Sequence, residues 1–248
     1  MKHYLVSLWN VDCYDLGWLE RRAKVFEKYC LPSVVGQSNK NFEWLLISDS
    51  RTPDKFRDVL DAYPAKVYYH DFEHHDWMVK ESDLGTVFTD KMRFSIRIET
   101  VGDVVAVAIG KQNTDYIITS RLDNDDMIAT DHIERIEMYT KDALTRRTNE
   151  SFWVSLVRGY RYKVDEGKMY PFNSRNNSFL SFVESPNDLK TCYQCVHTVA
   201  ATSGYDTEII RSGAPTWAEV IHGENVLNRV KRLKGETSAQ PILGRFSL

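Results

Sequence analysis

Four short apolar runs set the frame of this chain: HYLVSLW (residues 3–9), EWLLISD (43–49), KVYYHDF (66–72) and DYIITSRL (115–122). A run that is apolar throughout is buried on both faces, which a strand achieves when helices cover both sides of its sheet. The stretches between the runs are helical in pattern. Trp18, Leu19, Val25, Phe26, Tyr29 and Cys30 recur at helical spacing with charges between them, and Pro32 is placed to kink or restart that helix. Residues 52–63 read as a short helix with Pro53 near its start, and residues 91–109 as a longer one. The order β-α-β-α-β-α-β implies an α/β fold with a mainly parallel sheet flanked by helices. In such sheets ligands sit at the carboxyl ends of the strands. Asp49 ends the second run, and Asp123, Asn124, Asp125 and Asp126 follow the fourth. These two distant pieces are expected to share one crevice.

Residues 73–88, rich in His, Asp and Glu, read as a loop or lid. A helix over 130–144 follows the acidic run. Beyond it the pattern changes to short strand-like pieces, FWVSLVRGYRYKV, KMYPF, SFLSFVE, TEIIR and TWAEVIHG, divided by Gly, Asn, Ser and Pro. This half is expected to be more antiparallel and irregular, and to carry the substrate-specific surface. The tail after Arg232 is expected to pack as an extended arm.

At 248 residues the chain is expected to form a single large domain able to bury a core without staples. Its net charge of -3 argues against a general electrostatic grip on DNA or anionic lipid. No apolar run approaches the roughly 20 residues that span a bilayer, and MKHYLVSLWNVD lacks a signal-peptide pattern. Cys13, Cys30, Cys192 and Cys195 do not make a disulfide framework, so a reducing cytoplasm is the expected location.

The acidic run admits three readings. Counted from Asp123, an EF-hand loop finds Asp125, Asp131 and Glu134 at positions 3, 9 and 12, but Met127 and Ile128 stand at positions 5 and 6, where a ligand and a glycine belong. Helix capping by Asp126, Thr130 or Asp131 explains one residue, not three carboxylates in four positions. The preferred reading is a DxD site in which Asp123 and Asp125 hold Mg²⁺ or Mn²⁺ with substrate phosphates in the remaining positions. The chain has neither GxxxxGK nor GxGxxG, so a carboxylate–metal–diphosphate bridge is the available way to hold a nucleotide.

The run LPSVVGQSNKNFEWLLISDSRTPD resembles the first helix and second strand of GT-A-type, family 2 glycosyltransferases, whose DxD occupies the place of this acidic run. The resemblance extends to the putative rhamnosyltransferase family through LERRAKVFEKYCLPSVVGQS, FEWLLISD, TSRLDNDD, NSFLSFVE and WAEVIHGENVLNR, over roughly residues 3–230. It implies one GT-A-like domain over 1–248, with a nucleotide-sugar-binding half (1–128), an acceptor-binding half (129–232) and a tail (233–248). It implies that Asp49 contacts the nucleoside, although Ser48 stands where family 2 usually has a first aspartate. Asp123, Asp125 and His222 would hold the metal, with Arg121, Asn225 and Arg229 toward the phosphates. Inverting transfer needs a carboxylate to take the acceptor proton; Glu184 is the first candidate and Asp188 the second. Lys91, Arg93 and Arg97 share a helix face that supports a diphosphate or is simply solvated. CYQCVH supplies three of four zinc ligands with no second pair at finger spacing, which favours a core role. His70, His74 and His75 are too loosely spaced to read.

The expected activity is transfer of a hexose or deoxyhexose from a nucleotide diphosphate sugar to an acceptor hydroxyl. A saccharide, lipid-linked, protein or modified nucleic-acid acceptor all stay open. A metal-dependent nucleotidyltransferase or pyrophosphatase, and a non-catalytic sugar-nucleotide or glycan-binding module, are the alternatives.

Overall fold

The structure is a computed structural model that describes residues 1–11, 13–72, 90–147, 151–223 and 234–248, with the side chains of 90–99 excepted. Among the described residues the chain builds two sheets. Strands β1 (Lys2–Leu8), β2 (Glu43–Asp49), β3 (Lys66–His70), β4 (Ile117–Arg121), β6 (Phe152–Leu156), β9 (Ser181–Glu184) and β10 (Asp206–Ile210) form the larger, in the order β10-β6-β9-β4-β1-β2-β3. Only β9 runs against its neighbours; the other described pairings in this sheet, β1 with β2 and β4, β2 with β3, and β6 with β10, are parallel. The mainly parallel α/β architecture expected from the sequence is therefore present. The later strands do not stand apart as an antiparallel half. Three of them complete the large sheet: β6 and β9 are buried throughout, and β10, only partly buried, forms its edge.

Alternation within each strand divides the core. Tyr4, Val6, Leu45 and Ile47 face one side, where Val101, Val104, Val105 and Ala108 of helix α4 (Asp90–Ile109) cover them. Leu5, Trp44 and Leu46 face the other, against Phe26, Cys30 and Val34. Those three residues come from a helical segment with a widened middle: α1 (Leu16–Val25), a π turn over Phe26–Cys30, then α2 (Leu31–Val35). Asp15 starts it by accepting the Trp18 N–H at 2.6 Å. Pro32 has no N–H to continue an α-helical ladder, and its ring crowds the carbonyl four residues back. The widened turn accommodates it, with the Leu31 N–H bonding the Phe26 carbonyl instead. Helices α3 (Asp54–Asp61) and α5 (His132–Arg146) follow along the chain.

The smaller sheet joins β5 (Met127–Ile128), β7 (Arg158–Lys163), β8 (Lys168–Asn173), β11 (Trp217–Ile221) and β12 (Thr237–Ser238) in the order β12-β8-β7-β11-β5. It is mixed: β11 lies parallel to β7 and antiparallel to β5. Gly159 makes room for its central side chain, since a Cβ there would lie 2.1 Å from the Trp217 ring. The tail folds back on this sheet. After β12, a short helix α6 (Gln240–Leu243) carries Phe246 into the core among Tyr29, Met127, Ala129 and Val220. The Arg245 carbonyl accepts the Thr130 N–H at 2.8 Å. The expected arm is thus a packed element and buttresses the segment that follows the acidic run.

Phe246 is completely buried, so Phe246→Ala leaves a cavity and should cost about 3–5 kcal/mol. Urea unfolding monitored by tryptophan fluorescence checks this; a loss within error of zero would show that the tail only rests on the surface.

Candidate active site

The parallel register gathers the carboxyl ends of three strands. Val6 pairs with Arg121 and Leu8 with Ile47, so Trp9 and Asn10, Asp49, and the acidic run lie along one rim. The Leu122 N–H donates to the Val6 carbonyl at 3.0 Å, and Asn124 Nδ2 to the Trp9 carbonyl at 2.6 Å. These bonds fasten the acidic run to the end of β1.

Each acidic side chain has its own counterpart. Arg121 reaches forward to Asp123, with Nε at 3.1 Å and Nη2 at 3.0 Å from Oδ1. Its guanidinium lies 5.2 Å above the Tyr193 ring, which is itself fully buried. Asp125 Oδ2 meets two groups from opposite ends of the chain, Arg22 Nη1 at 2.7 Å and His222 Nε2 at 3.0 Å. Burial opposes its charge, but these partners outweigh burial and hold the carboxyl below the usual range. Arg22 also bonds Asn124 Oδ1 at 3.1 Å and lies over the Trp18 ring. Asp126 Oδ1 accepts the Val220 N–H at 2.9 Å. Burial, with the charges of Asp125 and Asp123, pushes its pKa well above the ordinary value. Two guanidiniums and one backbone N–H thus face the carboxyls of DNDD and relieve their repulsion. Capping does not: Asp131 stands at the N-cap of α5 but makes no capping bond.

Asp49 is fully buried and held by Tyr14 Oη at 2.6 Å, the Arg51 N–H at 2.9 Å and the Arg51 guanidinium at 3.1 Å. Burial raises its pKa and these donors lower it, with a net depression. Arg51 also stacks over the Tyr14 ring and bonds the Phe72 carbonyl. Ser48, in place of an aspartate, bonds Asn10 Oδ1 at 2.7 Å.

Two expected residues lie elsewhere. Glu184 pairs with Ile117 at the amino end of β4, roughly 13 Å along the strand from Arg121. Because β9 is antiparallel, its last residue falls at the end of the sheet away from the acidic run, so the structure does not bring Glu184, the first candidate base, to the rim. Its carboxylate accepts the Lys190 N–H at 2.6 Å and the Thr191 N–H at 2.9 Å, and so pins the turn that redirects the chain. Asp188 is exposed on the same turn, 3.1 Å from Lys190, and is equally remote as a base. Past that turn the CYQCVH segment returns to the rim. The Cys192 N–H donates to Thr119 Oγ1 at 2.7 Å, and Tyr193 follows beneath Arg121. Cys192 is a core residue, and no disulfide joins the four cysteines. His74, His75, Asn225 and Arg229 lie outside the described residues, as do residues 73–88 and the side chains of Lys91, Arg93 and Arg97. Arg22, Tyr14 and Tyr193 are site residues that sequence reading missed. Nothing in LERRAKVF distinguishes Arg22 from its charged neighbours; only the folded helix points it at Asp125.

Among the described residues no three His, Cys, Asp or Glu side chains converge to hold a metal. Asp123 is turned toward Arg121. The pair that fits a divalent ion is Asp125 and His222. Their donor atoms, 3.0 Å apart, have the separation of neighbouring ligands on an octahedral ion with bonds of about 2.1 Å. Such ions take few protein ligands and complete their shell with phosphate and water.

The site is thus an acidic run at the carboxyl end of a central strand of a mainly parallel α/β sheet. The family described as "putative rhamnosyl transferase" matches residues 11–233; the chain belongs to that family. No curated protein sequence matches it significantly. Among solved structures, TarS residues 1–349 of S. aureus is similar at 12% identity and a TM-score of 0.43, over 89% of this chain and 60% of that one. The inositol-1-phosphate CTP transferase of T. maritima is similar at 12% identity and a TM-score of 0.34, over 88% and 89%. Mouse xyloside xylosyltransferase 1 is similar at 11% identity and a TM-score of 0.36, over 64% and 53%. This chain therefore spans less than two thirds of the TarS fragment. No helix among the described residues is long and apolar enough to cross a membrane.

Burial raises the Glu184 pKa to about 7, against the partial opposition of its two backbone donors. A carboxyl raised above its unfolded value stabilises the fold at low pH and loses that contribution as pH rises through the folded value. The melting temperature should therefore fall between pH 5 and 8, and Glu184→Gln should flatten that fall. Thermal melts of both proteins across this range measure it; parallel curves would remove Glu184 as the titrating group.

Proposed function

We propose that this protein transfers a sugar from a nucleoside diphosphate sugar to an acceptor hydroxyl, with a divalent ion at Asp125 and His222 and inversion at the anomeric carbon. The observation that carries this reading is the convergence of Asp125 Oδ2 and His222 Nε2 at the carboxyl end of β4, in a chain of the putative rhamnosyl transferase family. The family description makes a rhamnosyl donor, a deoxyhexose, the first to test.

In this reading the rim divides the donor. Tyr14 and Arg51, locked by Asp49, form the nucleoside end; Asp49 acts by fixing the phenol and guanidinium that meet the ligand. Arg121 and Arg22 supply positive charge to the diphosphate, and Arg121, planar and bidentate, is the better shaped for it. Asp123 stays with Arg121 as its orienting partner or turns to join the metal shell. When bound, Mn²⁺ or Mg²⁺ acts as a Lewis acid for the departing diphosphate. Asn225 and Arg229 follow His222 closely in sequence and are assigned to the phosphates on that ground. The strands of the smaller sheet, with β7 and β8 foremost, are assigned to the acceptor.

Asp125→Asn keeps the size and the Arg22 bond but removes the charge. Isothermal titration with dTDP or UDP in Mn²⁺, run well below the melting temperature, should show affinity reduced about tenfold or more, the loss expected for a charge-assisted contact; the free protein should melt earlier, because Arg22 loses its counter-ion. His222→Ala should weaken nucleotide and Mn²⁺ together. Wild-type nucleotide affinity in both variants, or full transferase activity in chelator, would dismiss the metal.

A further inference from the structure

Strand β11 carries a carboxylate, Glu219, along the acidic run. Pairing of Trp217 with Ile128 and of Ala218 with Met127 sends this strand back past the run in the opposite direction. Val220 then donates its N–H to Asp126 Oδ1 at 2.9 Å, and His222 Nε2 meets Asp125 Oδ2 at 3.0 Å. Glu219 stands directly before the first of these contacts, and three residues, about 10 Å of extended chain, before the second. Alternation along the strand sets the direction of its side chain. Ala218 and Val220 turn into the core with Met127 and Phe246. Trp217 turns to the other face, in the cluster that holds Ile128, Phe179 and Leu122, the residue that leads into Asp123. Glu219 shares that face.

The smaller sheet holds this carboxylate by one oxygen. Arg161, its register partner on β7, donates from Nε to Oε2 at 2.7 Å. The guanidinium lies 3.7 Å from the centre of the Phe172 ring on β8, which steadies it in turn. Oε1 has no hydrogen-bond partner among the described residues. A carboxylate that serves only an arginine ion pair commonly engages both oxygens, and a buried acceptor left unmatched is costly. Unlike the unpartnered ring nitrogens of His3 and His132, Oε1 is not sealed off; the side chain keeps 11% of its surface open.

We infer that Glu219 is the general base that receives the proton of the acceptor hydroxyl, through Oε1. The inference rests on the glycosyl-transfer reading of the same crevice. The acceptor oxygen forms a bond to the anomeric carbon of the donor sugar, and its proton passes to Oε1. The bond from that carbon to the diphosphate oxygen breaks, and the nucleoside diphosphate leaves with the electron pair. Arg161 is a positioning residue that aims the carboxylate. Burial raises the Glu219 pKa against the pull of Arg161, and the charge of Asp123 adds to the rise. A carboxylate shifted in that direction is a stronger base than a solvated one.

The test follows release of nucleoside diphosphate from UDP-, dTDP- and GDP-sugars in Mn²⁺, with water as acceptor, well below the melting temperature. Glu219→Gln keeps an acceptor oxygen for Arg161 but is no base. It should lower kcat by about 100-fold or more while UDP and dTDP affinities stay near wild type. Glu219→Ala should be equally slow, and added formate, a small carboxylate, should restore its turnover while leaving the wild type and Glu219→Gln unchanged. Wild-type kcat in Glu219→Gln overturns the assignment. So does slow turnover in both variants that comes with lost nucleotide affinity and ignores formate, the pattern of a structural ion pair. If the wild type releases nucleotide from no donor, the glycosyl-transfer reading itself fails and this inference falls with it, a result visible before any variant is made.

Discussion

The carboxylate of Asp125 is the point on which the site depends. A buried charge is tolerated only when it is paired, and its two described charge-bearing partners come from residues 22 and 222. The first lies on α1, packed against one face of the large sheet; the second lies just past β11, in the small sheet. A single oxygen atom therefore ties together both sheets and a helix. Any neutral residue at position 125 leaves Arg22 without its counter-ion; Asn at least keeps an acceptor oxygen for the guanidinium, which an apolar residue would not.

The remaining acidic residues are handled by different physics. Asp123 is partly open to solvent and shares a guanidinium that rests on an aromatic ring. Asp126 is enclosed, burial and its acidic neighbours raise its pKa, and it fastens the turn to the Val220 N–H. Three aspartates nearly adjacent in sequence thus have three different sets of partners. Position relative to the rim, not residue type, separates them.

One reversed strand reshapes the far side of the crevice. Had β9 run parallel, Glu184 would have reached the rim. Running antiparallel, it sends the chain away and obliges it to return through a turn. Thr191 occupies that turn with a positive φ of 64°, unusual for a β-branched residue, and its N–H is one of the two that Glu184 accepts. The return delivers Tyr193 beneath Arg121. A carboxylate remote from the chemistry thereby fixes the path of the segment that reaches it.

Much of this was legible in the sequence. The apolar runs ending in Asp49 and Arg121 are buried strands, because a continuous apolar run needs cover on both faces, and parallel order brings their ends together. DNDD demanded compensation; the DxD reading named Asp123 and Asp125, and the family resemblance added His222. Asp125 and His222 meet, whereas Asp123 turns to Arg121. The place of Glu184 was not legible, because the pattern of SFLSFVE reports burial and says nothing of which end of the sheet its last residue reaches. The contacts of Arg22, Tyr14 and Tyr193 were equally invisible: each is an ordinary residue in an ordinary helix or loop until a partner over 30 residues away arrives beside it. Local sequence determined which segments are strands and helices, and which of their ends carry charge. The tertiary structure decided which charges share an atom, because pairing of buried groups depends on distances that only the packed sheet sets.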